Sequence, residues 1–333
     1  AAGAVPLRLI FAGTEELTNE GGNYLSPTTC VFSRSVIGQF ARREEEVRWR
    51  FLRNVDALVV SNYCNGDNFA GEMVSHYFGV PQFRLYIPYK RTPSAVQQYL
   101  AEITRLKDQV AEFCKAEVTD DALWDALGTY NELKFKLMTL SKMPLPGSKK
   151  QELFYKALIY GPHFLPELEN SLGNMDLFGS PLQGKRVLLA GAAPFFGDPL
   201  IEIIEQLGAV VAQNLTWTGV NYAMQFANTE LRGQSTALEE LARVYEKNIC
   251  SEHYVPLAYE KAAERIIKYC ADDDIPGVIY HVLKFCEFTG TLKDKVRERL
   301  VENGLKVLQI ERDYSTTAGG QLTTRIEAFL EML

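Results

Sequence analysis

The sequence repeats one pattern three times: an apolar run, a helical segment closed by glycine, and a second apolar run. The three repeats span residues 55–87, 185–215 and 277–311. Gly79, Gly208 and Gly304 stand where each helix should end, which is the position that glycine commonly takes. Strands that alternate with helices pair in parallel, and helices then cover both faces of the sheet. The pattern therefore predicts an α/β fold with mostly parallel sheets.

The chain of 333 residues is longer than one ordinary core requires, which favours two Rossmann-like or flavodoxin-like domains. Between the first two repeats, apolar residues recur at helical spacing from Leu123 to Leu137. The segment MPLPGSKK at 143–150 breaks this helical pattern with two prolines and a glycine. We therefore predict an N-terminal domain with a helical extension over 1–145 and a C-terminal domain over 146–333. Because the sequence begins inside an apolar run and without methionine, we expect the first domain to be incomplete at its N-terminus.

The composition narrows the class of function. Hydrophobic residues make up 47% and charged residues 23% of the chain, as in folded globular proteins. The net charge of -7, with acidic and basic residues interspersed, argues against nucleic acid as the main partner. No apolar stretch approaches the ~20 residues that cross a bilayer, and the first residues lack the basic start of a signal peptide. We therefore expect a cytoplasmic protein that binds a small ligand and does not act at a membrane.

Three of the six cysteines are candidates for a functional site. Cys64 and Cys286 each follow the first strand of a repeat, so both should lie at the carboxyl edge of a sheet, where α/β proteins bind ligands. Cys30 lies in a polar turn before a predicted helix, whose N-terminus favours a thiolate. A buried thiol that acts as a small hydrophobic side chain is the alternative for each one. Together, three thiolates from distant parts of the chain can converge on one iron-sulfur centre. Three protein ligands then leave one iron of that centre free to take part in chemistry.

The other cysteines are assigned differently. Cys114 and Cys270 fall near helix ends, and Cys270 precedes its strand, so we interpret both as structural. Cys250 precedes a predicted helix whose start should lie at the active edge, and it is left unassigned. The cysteine spacing supplies neither the close pairs of a zinc site nor the density of a disulfide scaffold. The loop from Gly191 to Gly197 follows a strand and opens a helix, but it lacks the glycine pattern of a phosphate-binding loop.

Five segments resemble the 2-hydroxyacyl-CoA dehydratase and benzoyl-CoA reductase family, and specifically the D-component of the dehydratases. They are TTCVFSRSVIG, LVVSNYCNGD, GVIYHVLKFCEF, GKRVLLAGAAPFFGDPLIEIIEQLGAVVAQNLTWTG and the ending IERDYSTTAGGQLTTRIEAFLEML. The resemblance covers nearly the whole chain and implies that Cys30, Cys64 and Cys286 hold a 4Fe-4S cluster. It assigns no general base or other catalytic residue. Trp217 stands where some relatives with a double-cubane cluster have a cysteine, which favours a single cubane here.

The resemblance implies an iron-sulfur subunit of a radical dehydratase that eliminates water from a 2-hydroxyacyl-CoA. In such enzymes an ATP-hydrolysing iron-sulfur activator supplies one electron, a ketyl radical forms on the thioester, and the 2-hydroxyl group leaves. The radical is needed because the β-hydrogen is otherwise not acidic enough for a general base. A homologous sister subunit is also implied, as a heterodimer, with a homodimer as the second possibility. Two alternatives stay open: a subunit of an ATP-dependent benzoyl-CoA-type or double-cubane reductase, and a non-catalytic partner subunit.

Overall fold

A computed structural model describes residues 1–90, 92–174, 183–249, 258–315 and 319–333. The α-helices of these residues are α1 (Glu15–Gly21), α2 (Val31–Ala41), α3 (Asn65–Phe78), α4 (Pro93–Cys114), α5 (Asp120–Ser141), α6 (Gly147–Tyr160), α7 (Leu165–Gly173), α8 (Leu200–Gln206), α9 (Val220–Ala223), α10 (Ala237–Ile249), α11 (Ala258–Asp272), α12 (Glu287–Glu302) and α13 (Gly319–Glu331). The strands are β1 (Leu58–Ser61), β2 (Gln82–Leu85), β3 (Lys185–Gly191), β4 (Ala209–Asn214), β5 (Gly277–Leu283) and β6 (Lys306–Arg312). None of the described helices has the length and apolar character needed to span a bilayer.

The strands form two parallel sheets. In the first, β1 pairs with β2. In the second, the strand order is β4-β3-β5-β6, and every neighbouring pair is parallel. The prediction of an α/β fold with parallel sheets is confirmed. Each predicted repeat supplies one strand–helix–strand unit. The glycines that follow α3, α8 and α12 adopt positive φ angles, which end each helix before the next strand.

Helices cover both faces of the four-stranded sheet. Alternate residues of β3 point to opposite faces, as the strand period of two requires. Leu188 packs with α5, α6, α11 and α12, whereas Leu189 packs with α8 and α13. The central strand β5 is buried along its whole length, which explains its continuous apolar sequence. This sheet therefore supports the residues that follow β5 from both sides of the strand.

The N-terminal part of the chain is built differently. Residues 1–10 form no strand, and Phe11 makes only an isolated bridge with Phe196. Helices α1 and α2 pack so closely that a Cβ atom on Gly38 would lie 2.1 Å from the carbonyl oxygen of Leu17. The core of this region contains α1, α2 and α3, and it also takes in Tyr155 of α6 and the loop after β3. The position of α2, which begins directly after Cys30, is therefore set by contacts on several sides.

The predicted break at 143–150 is only partly outside regular structure. Residues 142–146 connect α5 to α6, but Gly147 begins α6. The helix starts there because the Glu205 carboxylate accepts hydrogen bonds from the amides of Gly147, at 2.6 Å, and Ser148, at 3.2 Å. Helix α6 packs into the cores of both sheets. The domain boundary near residue 145 stays a prediction.

Candidate functional site

The three candidate cysteines occupy the same local position. Cys30 is the N-cap of α2, Cys64 is the N-cap of α3 after β1, and Cys286 is the N-cap of α12 after β5. None of their sulfur atoms accepts a capping hydrogen bond with the distance and angle of a regular one. Three other helices are capped by threonine hydroxyls, which accept a hydrogen bond from an amide of the first turn: Thr14, Thr92 and Thr119. A cysteine at this position leaves its sulfur available for another partner.

We call Cys30, Cys64 and Cys286 with the helix starts that carry them the three-cysteine site. Two hydrogen bonds connect these segments. The amide of Val31 donates to the carbonyl oxygen of Lys284 at 3.4 Å, and this joins the start of α2 to the turn before α12. The side-chain amide of Asn65 donates to the Glu287 carboxylate at 2.8 Å, and this joins the first residues of α3 and α12. The three helix N-termini are therefore neighbours in space, although two of them lie 222 residues apart in sequence.

A third contact brings α3 against α2. A Cβ atom placed on Gly66 would lie 2.6 Å from Oγ of Ser33 and 3.3 Å from Cβ of Cys30. Only glycine fits at this position without a shift of the neighbouring side chains. The structure therefore brings together all three cysteines that the sequence selects.

The sulfur atoms also lie within electrostatic reach of one another. Burial raises the pKa of the Cys30 thiol to about 11, and the proximity of Cys286 adds to this increase, while the amides of Ser33 and Phe32 oppose it. Burial likewise raises the pKa of Cys64, with further increases from Asp67, Cys30 and Cys286. Thiolates that are gathered in a desolvated place repel one another, and a bound cationic centre relieves both costs. The donor set therefore has the chemistry of a thiolate-bound metal centre.

The arrangement is not that of a single metal ion. Across the described ranges, no group of three or more His, Cys, Asp or Glu side chains is placed to hold one ion. The five cysteines within these ranges are free thiols. In a 4Fe-4S cluster each thiolate binds a different iron, so the sulfurs surround a wide centre instead of meeting at one atom. Three neighbouring thiols at separate helix N-termini are donors of the type that such a cluster binds.

Two buried hydroxyl groups beside the cysteines have no hydrogen-bond partner among the described residues: Oγ of Ser33 and Oγ1 of Thr289. Each belongs to the third residue of a helix capped by a candidate cysteine. Sequence reasoning missed both residues. Their spacing of three from a cysteine was visible, but nothing in the sequence marked them as buried or unpaired.

A large cavity of about 1410 Å³ borders the site. Its wall includes the strand β1, the N-terminal residues 2–10, Trp217, and the side chains of Ser33 and Asp67. Asp67 is accessible from this cavity, yet protein surrounds it, and the resulting desolvation raises its pKa to about 6. The cavity thus reaches the first turns of α2 and α3, where two of the cysteines lie.

The remaining predicted positions lie elsewhere. Cys114 is the last residue of α4 and lines the far part of the cavity, whereas Cys270 lies buried on α11 in the core beneath the larger sheet. Cys250 lies outside the described residues. The loop from Gly191 to Gly197 is largely buried, and its Phe195 stacks on Phe32 of α2. This loop therefore supports α2 from the side of the larger sheet.

A buried polar network beside this loop was also missed. His281, fully buried in β5, has Nδ1 2.7 Å from the carbonyl oxygen of Ala192. Its Nε2 is 3.0 Å from Nε of Arg312, whose guanidinium also pairs with Asp198. Burial holds the pKa of His281 well below its usual range, so the neutral ring donates from Nδ1 to Ala192 and accepts from Arg312 at Nε2. The network ties β5 to the loop after β3 and to β6, five residues before Cys286. Its sequence signal was a histidine inside an apolar strand.

The fold and the site define an α/β protein with cysteines at three converging helix N-termini. The family model of the 2-hydroxyglutaryl-CoA dehydratase D-component matches residues 1–333, and the chain belongs to this family.

The curated relatives are distant but cover the chain well. The chain is 22% identical over 353 residues to the (R)-phenyllactyl-CoA dehydratase beta subunit of Clostridium sporogenes, covering 100% of this chain and 87% of that protein. It is 23% identical over 351 residues to the putative dehydratase subunit YjiM of Escherichia coli (strain K12), with the same two coverages of 100% and 87%. It is 22% identical over 275 residues to the (R)-2-hydroxyglutaryl-CoA dehydratase subunit beta of Acidaminococcus fermentans, covering 76% of this chain and 69% of that protein. The similar proteins are thus named as dehydratase subunits.

Proposed function

We propose that the chain is the iron-sulfur subunit of a 2-hydroxyacyl-CoA dehydratase, in which Cys30, Cys64 and Cys286 hold a 4Fe-4S cluster. The observation that carries this proposal is the convergence of three helix N-termini, each with cysteine as its N-cap. Membership of the dehydratase family supports the reaction class. When bound, the cluster supplies one-electron chemistry and an iron that no protein ligand occupies.

The chain's own residues prepare the site for such a group. The amides of Phe32 and Ser33 favour the thiolate of Cys30, and the amide of Asp67 favours that of Cys64. This is the effect of a helix N-terminus on a nearby anion. The hydrogen bonds between the three segments, together with the packing of Gly66 on α2, keep the cysteines near one another before the cluster is inserted. The protein thereby binds and orients the thiolates while it limits the access of water.

The substrate class and the partners follow from the same proposal. Two relatives are named as dehydratases of (R)-2-hydroxyacyl-CoA thioesters and as beta subunits. We propose that this chain likewise acts in the cytoplasm on an acyl-CoA that carries a 2-hydroxyl group, and that it pairs with a homologous sister subunit. An ATP-hydrolysing iron-sulfur activator would supply the electron. We expect the stable pair to bury more than ~1,000 Å².

Anaerobic reconstitution of the single cysteine variants tests the ligand set. We expect Cys30→Ser, Cys64→Ser and Cys286→Ser each to lose most of the bound iron, because each removes one of three thiolate ligands. Cys114→Ser is the matched control, since Cys114 is also partly exposed and lies at a helix end. Loss of iron in Cys114→Ser, together with full iron in Cys30→Ser, would contradict the assignment.

The iron content and the reaction separate the dehydratase from a reductase. We expect about four irons per chain, as in a single cubane, whereas about eight would indicate a double-cubane reductase. With the sister subunit and the activator present, a 2-hydroxyacyl-CoA should lose water without net consumption of reductant. Turnover that consumes reductant in proportion to product would overturn the dehydratase proposal.

A further inference from the structure

Ser33 and Thr289 stand at equivalent positions of two different helices. Ser33 is the third residue of α2, after the N-cap Cys30, and Thr289 is the third residue of α12, after the N-cap Cys286. Their residues are 1% and 2% exposed, respectively, and neither hydroxyl oxygen has a partner among the described residues. An unpaired buried hydroxyl is costly, so most are paired in native proteins. Because a buried, unpaired hydroxyl occurs beside two of the candidate ligands, one explanation should account for both.

The other helical hydroxyls show how this chain usually satisfies such groups. Most donate to the backbone carbonyl four residues earlier, as do Thr18, Thr104, Thr129, Thr139, Thr291, Thr323 and Thr324. Two serines donate to the carbonyl three residues earlier: Ser35 and Ser141. Ser35 lies only two residues from Ser33, and Thr291 only two from Thr289. Among the serine and threonine hydroxyls on the described helices, the two that are buried and unpaired are those of Ser33 and Thr289, and both follow a candidate cysteine by three residues.

The geometry places these hydroxyls at the site. A Cβ atom on Gly66 would lie 2.6 Å from Oγ of Ser33, so this hydroxyl sits between the segments that carry Cys30 and Cys64. Thr289 follows Cys286 at a spacing of three, which puts both side chains on the same face of the helix. Both hydroxyls are thus buried in the first turns of the helices that Cys30 and Cys286 cap.

We propose that the Ser33 and Thr289 hydroxyls donate hydrogen bonds to sulfur atoms of the bound cluster and raise its reduction potential. The inference rests on the proposed function, because it requires a cluster on the three cysteines. A hydroxyl proton directed at a sulfur stabilises the reduced, more negative cluster more than the oxidised one. Both residues are positioning residues, since they act through the cluster and not on the substrate.

The test compares reduction potentials of anaerobically reconstituted variants. In Ser33→Ala and in Thr289→Val the iron and sulfide contents should equal those of the unmodified protein. At a fixed solution potential, the ratio of reduced to oxidised cluster should fall about tenfold for each variant, a shift of about 59 mV for a one-electron couple. Pulsed EPR in deuterated water should show the loss of one exchangeable proton coupled to the reduced cluster.

The control variants remove hydroxyls that already have partners. Ser35→Ala, whose hydroxyl donates to the Phe32 carbonyl, and Thr291→Val, whose hydroxyl donates to the Glu287 carbonyl, should leave the potential unchanged. The conservative variants Ser33→Thr and Thr289→Ser keep a donor and should retain most of the potential. An equal shift in Ser35→Ala would show a general effect of helix α2 and would overturn the inference.

Failure of the inference is distinguishable from failure of the proposed function. If the unmodified protein binds no iron, both are wrong. If it binds iron, and neither Ser33→Ala nor Thr289→Val changes the potential or the proton coupling, the hydroxyl inference alone is wrong. Loss of iron from both variants, with unchanged circular dichroism, would also contradict it, because a donor that tunes the potential is not a ligand.

Discussion

The junction from β1 to α3 and the junction from β5 to α12 share one plan but differ in what supports them. In both, a parallel strand ends, two turn residues follow, and a cysteine caps the helix. Strand β1 has four residues in a two-stranded sheet, and its Val59 is 57% exposed. Strand β5 has seven buried residues between two neighbouring strands.

The difference shows two ways of placing a candidate ligand. Cys286 is positioned mainly by its own sheet, including the buried pair of His281 and Arg312 next to its strand. Cys64 depends on contacts outside its sheet, above all the close approach of Gly66 to the helix α2. We therefore expect changes at the helix contact to affect the Cys64 junction more than corresponding changes affect the Cys286 junction.

The largest effect is expected from Gly66→Ala. The added Cβ atom would lie 2.6 Å from Oγ of Ser33, so either the buried Ser33 side chain must shift or α3 must move away from α2. We expect a loss of about 3 kcal/mol in the free energy of unfolding, as for other overpacked contacts, and a loss of most of the bound iron. Denaturant unfolding of the apo protein and iron analysis after reconstitution measure the two effects.

Gly290→Ala is the matched change at the other junction. The nearest atom to a Cβ on Gly290 belongs to Val282, at 4.0 Å, so alanine fits in α12. Because alanine favours a helix over glycine, we expect this variant to gain about 1 kcal/mol and to keep its iron. Equal destabilisation by both substitutions would remove the distinction between the junctions.

The second prediction concerns a basic side chain beside each of the two sheets. On β2, Arg84 forms an ion pair with Glu72 of α3. Beneath β4, Lys150 is buried and donates to the carbonyl oxygens of Ala212, at 2.6 Å, and Ser141, at 3.2 Å. Burial lowers the pKa of Lys150 from 10.5 to about 8. Between these two values the unfolded chain binds more protons at this residue, so the free energy of unfolding should rise with pH.

The rise should total about 2–3 kcal/mol between pH 8 and pH 10.5, from the difference in the two pKa values. Lys150→Met should lose it, whereas Lys149→Met should keep it, because Lys149 lies in a surface ion pair with Glu152. Unfolding curves over this pH range compare the three proteins. The same slope in Lys150→Met as in the unmodified protein would refute the assignment.

The third prediction addresses the turns before the two cysteines. Phe285 has a φ angle of 62°. This left-handed conformation costs a residue with a side chain about 1 kcal/mol. Tyr63, at the corresponding position, is not among the residues with positive φ. In the Phe285 position, glycine should therefore be more stable than alanine by about 1 kcal/mol. In the Tyr63 position, glycine should be less stable than alanine by about 0.5–1 kcal/mol. Thermal unfolding of the four variants measures both differences, and a shared sign would contradict the interpretation.

Much of this comparison could be predicted from sequence. Apolar runs, glycine stops and a cysteine after the first strand of two repeats were enough to place Cys64 and Cys286 at the carboxyl edges of parallel strands. These signals are local, and each depends on a few adjacent residues. The class of fold followed from the same repeats.

The rest depended on contacts between distant residues. The start of α6 inside the predicted break requires the carboxylate of Glu205, 58 residues from Gly147. The role of Ser33 becomes visible only when α3 places Gly66 against it, and that of His281 only when β6 brings Arg312 alongside. Turn residues and polar residues in apolar runs carry no local signal of their tertiary partners.

The smallest effect is expected at the contact that joins the two junctions directly. The side-chain amide of Asn65 donates to the Glu287 carboxylate at 2.8 Å, on the exposed side of the site. A solvent-exposed hydrogen bond to a charged group contributes little, so Asn65→Ala and Glu287→Ala should each cost about 0.5 kcal/mol. In a double-mutant cycle on the apo protein, the coupling energy should be about 0.5 kcal/mol and should fall when salt is added. Asn65→Ala combined with Glu298→Ala is the control, because Glu298 pairs with Lys295 on the same helix and should show no coupling. A coupling of several kcal/mol would mean that this contact, more than the packing of Gly66 on α2, positions Cys64 relative to Cys286.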